Sequence, residues 1–159
     1  MTTLYVRDGD NFREADGQEV LDKAQALIAQ RYRVGAPTLS SPARTAEFLK
    51  LKLGALDYEV FGFLGLDSRH RLIQYVELFR GTIDGASVYP REVVKEALRV
   101  GAAAVILFHC HPSGNSSPSQ ADERITTRLR DALGLLDIRV VDHLIVGERV
   151  SSFAELGLI

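Results

Sequence analysis

The chain has 1 cysteine, no tryptophan and a formal net charge of only -2, from 19 basic against 21 acidic residues. A lone thiol, Cys110, excludes an internal disulfide and a four-thiolate metal site; it fits a reducing compartment and turns any metal toward histidine and carboxylate. The near balance of charge excludes a global attraction to nucleic acid, leaving only a local basic face to supply one. No apolar run approaches the ~20 residues that span a bilayer. Met1 to Arg13 mixes charged and polar side chains where an export signal needs an apolar stretch. The expectation is a cytoplasmic protein with no membrane partner.

What is present is an ordinary globular composition, 46% apolar and 25% charged over 159 residues, enough to bury one core. A single domain over residues 1–159 is expected, with an N-terminal extension (1–40) and a motif-bearing part (41–150). The extension reads as a strand near Leu4 to Arg7, a polar turn, and a helix from Gly17 to Arg33. Ser41-Pro42 opens a second helix, because serine can cap free amides and proline tolerates the first helical position; it stops at Leu53, before Gly54.

Glu59 to Asp67 and Leu72 to Phe79 are rich in β-branched and aromatic residues and flank the polar stretch Ser68 to Arg71, the pattern of a hairpin. A helix from Pro90 to about Gly101 shows Val93, Val94, Ala97 and Leu98 as one apolar stripe. Ala102 to Phe108 reads as a buried strand and Pro112 to Pro118 as a loop. Ser119 begins a helix with Ile125, Leu129, Ala132, Leu133 and Leu136 on one face, and Ile138 to Val146 is a last strand. Because the hairpin breaks strict alternation, the class is α/β with a mixed sheet and helices on its faces.

The chemistry is concentrated in FHCHPSGNSSPSQAD, Phe108 to Asp122. Side chains alternate along a strand, so His109 and His111 share a face and Cys110 takes the other. Asp122 arrives in the first turn of the next helix, where it can fold back as a third ligand. Ser119 to Asp122 also fits a plain capping box, so the acidic residue has a structural reading beside the functional one. Two histidines and a carboxylate leave one of zinc's four positions open, the arrangement of a catalytic site carrying one Zn2+ per chain. A carboxylate general base is then needed. HExxH is absent, and one cysteine excludes the zinc nucleobase deaminase pattern.

His-x-His-Pro, followed by Ser119 and Asp122 at this spacing, resembles the zinc signature of the JAMM (JAB/MPN+) metallopeptidases. Gly81 to Leu98 (GTIDGASVYPREVVKEAL), His111 to Gly114 (HPSG) and Asp142 to Gly147 (DHLIVG) resemble the bacterial RadC-like branch. The resemblance covers roughly Ser41 to Val150 and implies a three-layer αβα, JAB/MPN-like fold. It implies His109, His111 and Asp122 as metal ligands, Ser119 as the residue that steadies the reacting oxyanion, and Glu59 as general base, with Glu77 as the rival. RadC-like proteins commonly carry Asn between the histidines; Cys110 stands there in this chain and is expected to be a packed thiol. Longer relatives of this branch have an N-terminal helix-hairpin-helix region for which this chain has no room.

The function implied is a zinc-dependent hydrolase of metallopeptidase or isopeptidase type acting on a peptide or isopeptide-like substrate. One alternative is a DNA-repair or recombination accessory protein, an idea that comes with the RadC resemblance and finds no support in charge or in any helix-turn-helix or stacking platform. The other is a metal-binding interaction module without turnover. For Asp142 and His143 a structural use is expected, since neighbours on a strand face apart. Arg80 and Arg91 read as solvated or ion-paired, and His70 as an exposed turn residue.

Overall fold

The computed structural model describes residues 3–31, 41–81 and 88–159. An N-terminal hairpin, β1 (Tyr5–Asp8) and β2 (Asn11–Glu14), forms its own two-stranded antiparallel sheet, followed by α1 (Gly17–Arg31). The strand β2 replaces the polar turn expected after β1. Asn-Phe-Arg-Glu carries little strand signal, and pairing with β1 decides its conformation. Residues 32 and 33 of the expected helix, and most of the Gly81 to Ser87 connection, lie outside the described residues.

The remaining elements are α2 (Pro42–Leu53), β3 (Val60–Leu66), β4 (Leu72–Arg80), α3 (Pro90–Val100), β5 (Ala104–Cys110), α4 (Gln120–Gly134), β6 (Arg139–Val146) and β7 (Val150–Ser152). Among the described residues they build a five-stranded sheet in the order β4-β3-β5-β6-β7. Only β5 and β6 run parallel, and α4 is the crossover between them. Short β7 escaped the sequence pattern because Val-Ser-Ser has no alternation to read; its pairing with β6 defines it.

The central strands β3 and β5 are buried along their full length. Their side chains divide between two cores, one on each face of the sheet. On one face Val60, Leu64, Ile106 and Phe108 pack against Phe48, Leu49 and Leu53 of α2. On the other, Phe61, Phe63, Val105 and Leu107 pack against Val93 and Ala97 of α3 and Ile125, Leu129 and Leu133 of α4. The result is the three-layer αβα arrangement, and each fully buried Leu or Phe contributes on the order of 1.5–3 kcal/mol.

Two stripes are narrower than their sequences suggest. In α3 Leu98 is 55% exposed, and Leu136 lies beyond the end of α4 at 43%. Each apolar run outlasts the contact that its helix makes. Ser41 stands at the start of α2 as expected, yet its side chain makes no capping bond; its carbonyl accepts from the amides of Arg44 and Thr45. Gly101 ends α3 in the left-handed region, at φ 72°, which glycine adopts without a Cβ clash. No helix among the described residues is long and apolar enough to cross a membrane.

Candidate metal centre

The strand β5 delivers the two histidines. His109 lies on the α4 face with 0% exposure, while Cys110, also buried, points to the α2 face, where its thiol lies 3.6 Å from the Tyr58 carbonyl. His111 follows the strand's last residue, but its amide still donates to Val146 of β6 at 2.9 Å, so strand geometry persists. The two Nε2 atoms are 2.8 Å apart.

Asp122 is placed by the start of α4. Ser119 is the N-cap: its hydroxyl accepts from the Asp122 amide, and Asp122 Oδ2 accepts from the Ser119 amide at 2.8 Å and from its hydroxyl at 2.6 Å. The capping box is therefore complete. The other oxygen, Oδ1, lies 3.3 Å from His109 Nε2. The capping role does not exclude the ligand reading of this tetrad, because a carboxylate has two oxygens: Oδ2 serves the cap and Oδ1 faces His109. One ligand atom from each of His109, His111 and Asp122 lies within 4.8 Å of the others, a group able to hold a metal ion.

Burial pushes the His109 imidazole down to about 4, outweighing the upward pull of Asp122. His109 Nε2 and Asp122 Oδ1 therefore converge in a buried site where burial disfavours a charge on the ring. Glu59, just before β3, reaches His111 from the other side, with Oε1 3.3 Å from Nδ1, and both side chains are about a fifth exposed, at 20% and 23%. Glu77 is held elsewhere. It accepts from the Tyr75 phenol at 2.8 Å and lies 3.5 Å from Arg80, on the face of the sheet that carries Phe108 and Cys110.

The loop after His111 is fastened to the end of β6. The carbonyl of Gly114 accepts from the Glu148 amide at 2.8 Å, and Ser151 donates to Ser116 at 3.1 Å. Gly147 comes so close that a Cβ there would lie 2.3 Å from the Gly114 carbonyl oxygen. HPSG and DHLIVG, two separate stretches of sequence, thus meet in one contact. Beside His111 lies a pocket of ≈ 220 Å³ with Leu53, Leu56, Pro112 and Val146 among its apolar walls and Lys50 among its lining residues. Lys50 donates to the Glu148 carbonyl at 2.7 Å.

Asp142 and His143 part company as neighbours on a strand should. Asp142 has the expected structural use: it accepts from the amides of His143 and Ala154 and from the Ser152 hydroxyl, tying β6 to β7 and to the turn beyond. His143 does not. Its Nε2 lies 2.8 Å from Nδ1 of His109, and its Nδ1 lies 2.6 Å from the Thr126 hydroxyl. Sequence reasoning missed Thr126 entirely, although its place one helical turn after Asp122 is a signal that could have found it. Arg91 and Arg80 are paired with Glu92 and Glu77, and Arg80 also covers the Tyr58 ring. His70 is half-buried rather than exposed, because Arg139 donates to it from β6.

Residues 39–158 match the model of the RadC-like JAB domain. A UPF0758 protein of Vibrio cholerae is 57% identical over 138 residues, 87% of each chain. A second from the same organism is 55% identical over 139 residues, 87% of this chain and 88% of the other. One from Marinobacter nauticus is 53% identical over 156 residues, 98% of this chain and 69% of the other. With the αβα layers, the His109, His111 and Asp122 group and this match in place, the chain belongs to the RadC-like JAB domain family.

Proposed function

We propose that the chain is a zinc-dependent hydrolase of metallopeptidase or isopeptidase type, cleaving an amide-like bond. The observation that carries this reading is the convergence of His109 Nε2, His111 Nε2 and Asp122 Oδ1 at the end of β5. Two ring nitrogens 2.8 Å apart need a cation or a shared proton between them. Two imidazoles with one carboxylate suit zinc and leave a position open for catalysis. When bound, the ion supplies Lewis acidity, acidifying water and polarising a carbonyl oxygen.

The chain's own residues do the rest. Glu59 moves the proton, taking it from the attacking water and returning it to the leaving amine, a role supported by its approach to His111 at 3.3 Å. Ser119 steadies the oxyanion; its hydroxyl proton is directed at Asp122 in the resting protein and turns to the substrate oxygen during turnover. The pocket beside His111 receives an apolar side chain flanking the scissile bond.

Elemental analysis of protein purified without chelator tests the ligand set. About one zinc per chain is expected in the wild type and in Glu59→Gln, with loss in His109→Ala, His111→Ala and Asp122→Ala. No metal after zinc loading would overturn the reading. Zinc retained without cleavage of any member of a peptide and isopeptide library would leave a metal-binding interaction module as the better description.

A further inference from the structure

A neutral imidazole carries one proton on either of two nitrogens, and only one choice serves a metal ligand. His109 must present a lone pair at Nε2, so its proton must sit on Nδ1. Nothing in the strand itself enforces that choice; the residues behind His109 do.

The hydrogen-bond directions can be worked out from one end. The backbone carbonyl of Asp122 can only accept, so the Thr126 hydroxyl, 2.6 Å away, donates its single proton there. Having spent that proton, Thr126 Oγ can only accept from His143 Nδ1, at 2.6 Å. His143 is fully buried, its ring partners are the uncharged Thr126 hydroxyl and the His109 imidazole, and Phe61 and Phe153 pack on it, so it sits there as the neutral ring with one proton. With Nδ1 protonated, its Nε2 is an acceptor, and His109 Nδ1 must donate to it at 2.8 Å. His109 Nε2 is left with a lone pair, aimed at His111 and Asp122.

The surroundings keep water from competing. His109 and His143 are fully buried and Thr126 is 2% exposed. Phe61, opposite His109 in the register of β3 and β5, stacks on His109 at 6.3 Å and meets His143 edge-on at 5.7 Å. Phe153 covers the other side of His143 at 4.7 Å.

We infer that Thr126 and His143 are positioning residues, a relay that starts at the Asp122 carbonyl and locks His109 into the tautomer that can bind a metal. The inference rests on reading His109, His111 and Asp122 as ligands. It also ties the ligands together, since the residue that supplies the carboxylate supplies the acceptor from which the relay takes its direction.

The test compares wild type with Thr126→Val, which keeps shape but cannot accept a hydrogen bond, and Thr126→Ser, which can. Two readouts are taken: zinc Kd by competition with a chromophoric chelator, and imidazole 15N shifts of the metal-free protein, which report tautomers directly. Expected are His109 as the Nδ1–H form in wild type and Thr126→Ser, a mixture of both forms in Thr126→Val, and zinc binding weakened about 10–100-fold in Thr126→Val alone. An Nε2–H form of His109 in the wild type, or unchanged zinc affinity in Thr126→Val, overturns the relay while leaving the ligand set standing. No zinc uptake by the wild type overturns the ligand reading, and the purpose of the relay with it.

Discussion

Tyr75 donates its phenolic proton to Glu77 at 2.8 Å, two residues along the same edge strand, and stacks flat on Phe108 at 4.9 Å. Burial, reinforced by the bond to Glu77, pushes the Tyr75 phenol above its ordinary range, so it stays a donor. Glu77 is thereby committed to the α2 side of the sheet, whereas Glu59 addresses His111. Glu59→Gln should lower kcat by about 10²–10⁴-fold with zinc retained, the usual range for a lost general base. Glu77→Gln should stay within a few-fold. The reverse order in steady-state kinetics would make Glu77 the base.

Ser119 caps α4, and one substitution separates that duty from the oxyanion role proposed for it. Ser119→Ala removes the cap and both side-chain contacts with Asp122, costing about 1 kcal/mol, or roughly 2–4 °C in Tm. If holding Asp122 is its main task, zinc Kd rises by about tenfold. A variant with wild-type zinc affinity and a large fall in kcat would instead make oxyanion stabilisation its main contribution.

Gly147→Ala should disturb the loop that joins His111 to Asp122. The added Cβ would meet backbone atoms, Gly114 O at 2.3 Å and Ser116 N at 3.1 Å, which cannot rotate away. A loss of about 1–3 kcal/mol is expected from such overpacking, together with weaker zinc binding. Urea unfolding and chelator competition measure the two effects; a variant equal to wild type in both would show that the loop position is not what holds the ligands in place.

Acid should destabilise the metal-free protein in a definite window. The folded state holds His109 down to about 4 and His143 well below its ordinary range, both chiefly by burial. An unfolded histidine titrates near ~6.5, so between these limits the unfolded chain binds more protons. Stability is full above about pH 6.5 and falls as the pH drops toward 4, by up to about 1.4 kcal/mol per pH unit for each histidine. In chelator, urea unfolding across this range should show a shallower slope for His143→Gln, by about one proton. An identical slope would mean that His143 is not held neutral in the fold.

How much of this was legible beforehand depends on how local each feature is. The His109 and His111 pair follows from strand alternation, and Asp122 from a helix start, so the ligand group could be read from fifteen consecutive residues. The Pro42 and Pro90 helix starts and the β3–β4 hairpin were also local signals and stand where expected. The strands β2 and β7 carry no such signal, because sheet pairing alone makes them strands. Leu98 reads as core by periodicity, and only the breadth of the contact between α3 and the sheet decides that it is exposed.

By itself, the sequence determined the α/β class with a mixed sheet, the buried character of β5 and the identity of the candidate ligands, all of which rest on periodicity and short spacing. The tertiary structure decided which face of β6 stands beside His109, and so brought His143 and Thr126 behind it from two other elements. It also turned Glu59 toward His111 and Glu77 toward Tyr75. Those choices depend on strand order, register and a bulge in β6 after Val140, which set the directions of side chains far apart in the chain and leave no mark on local composition.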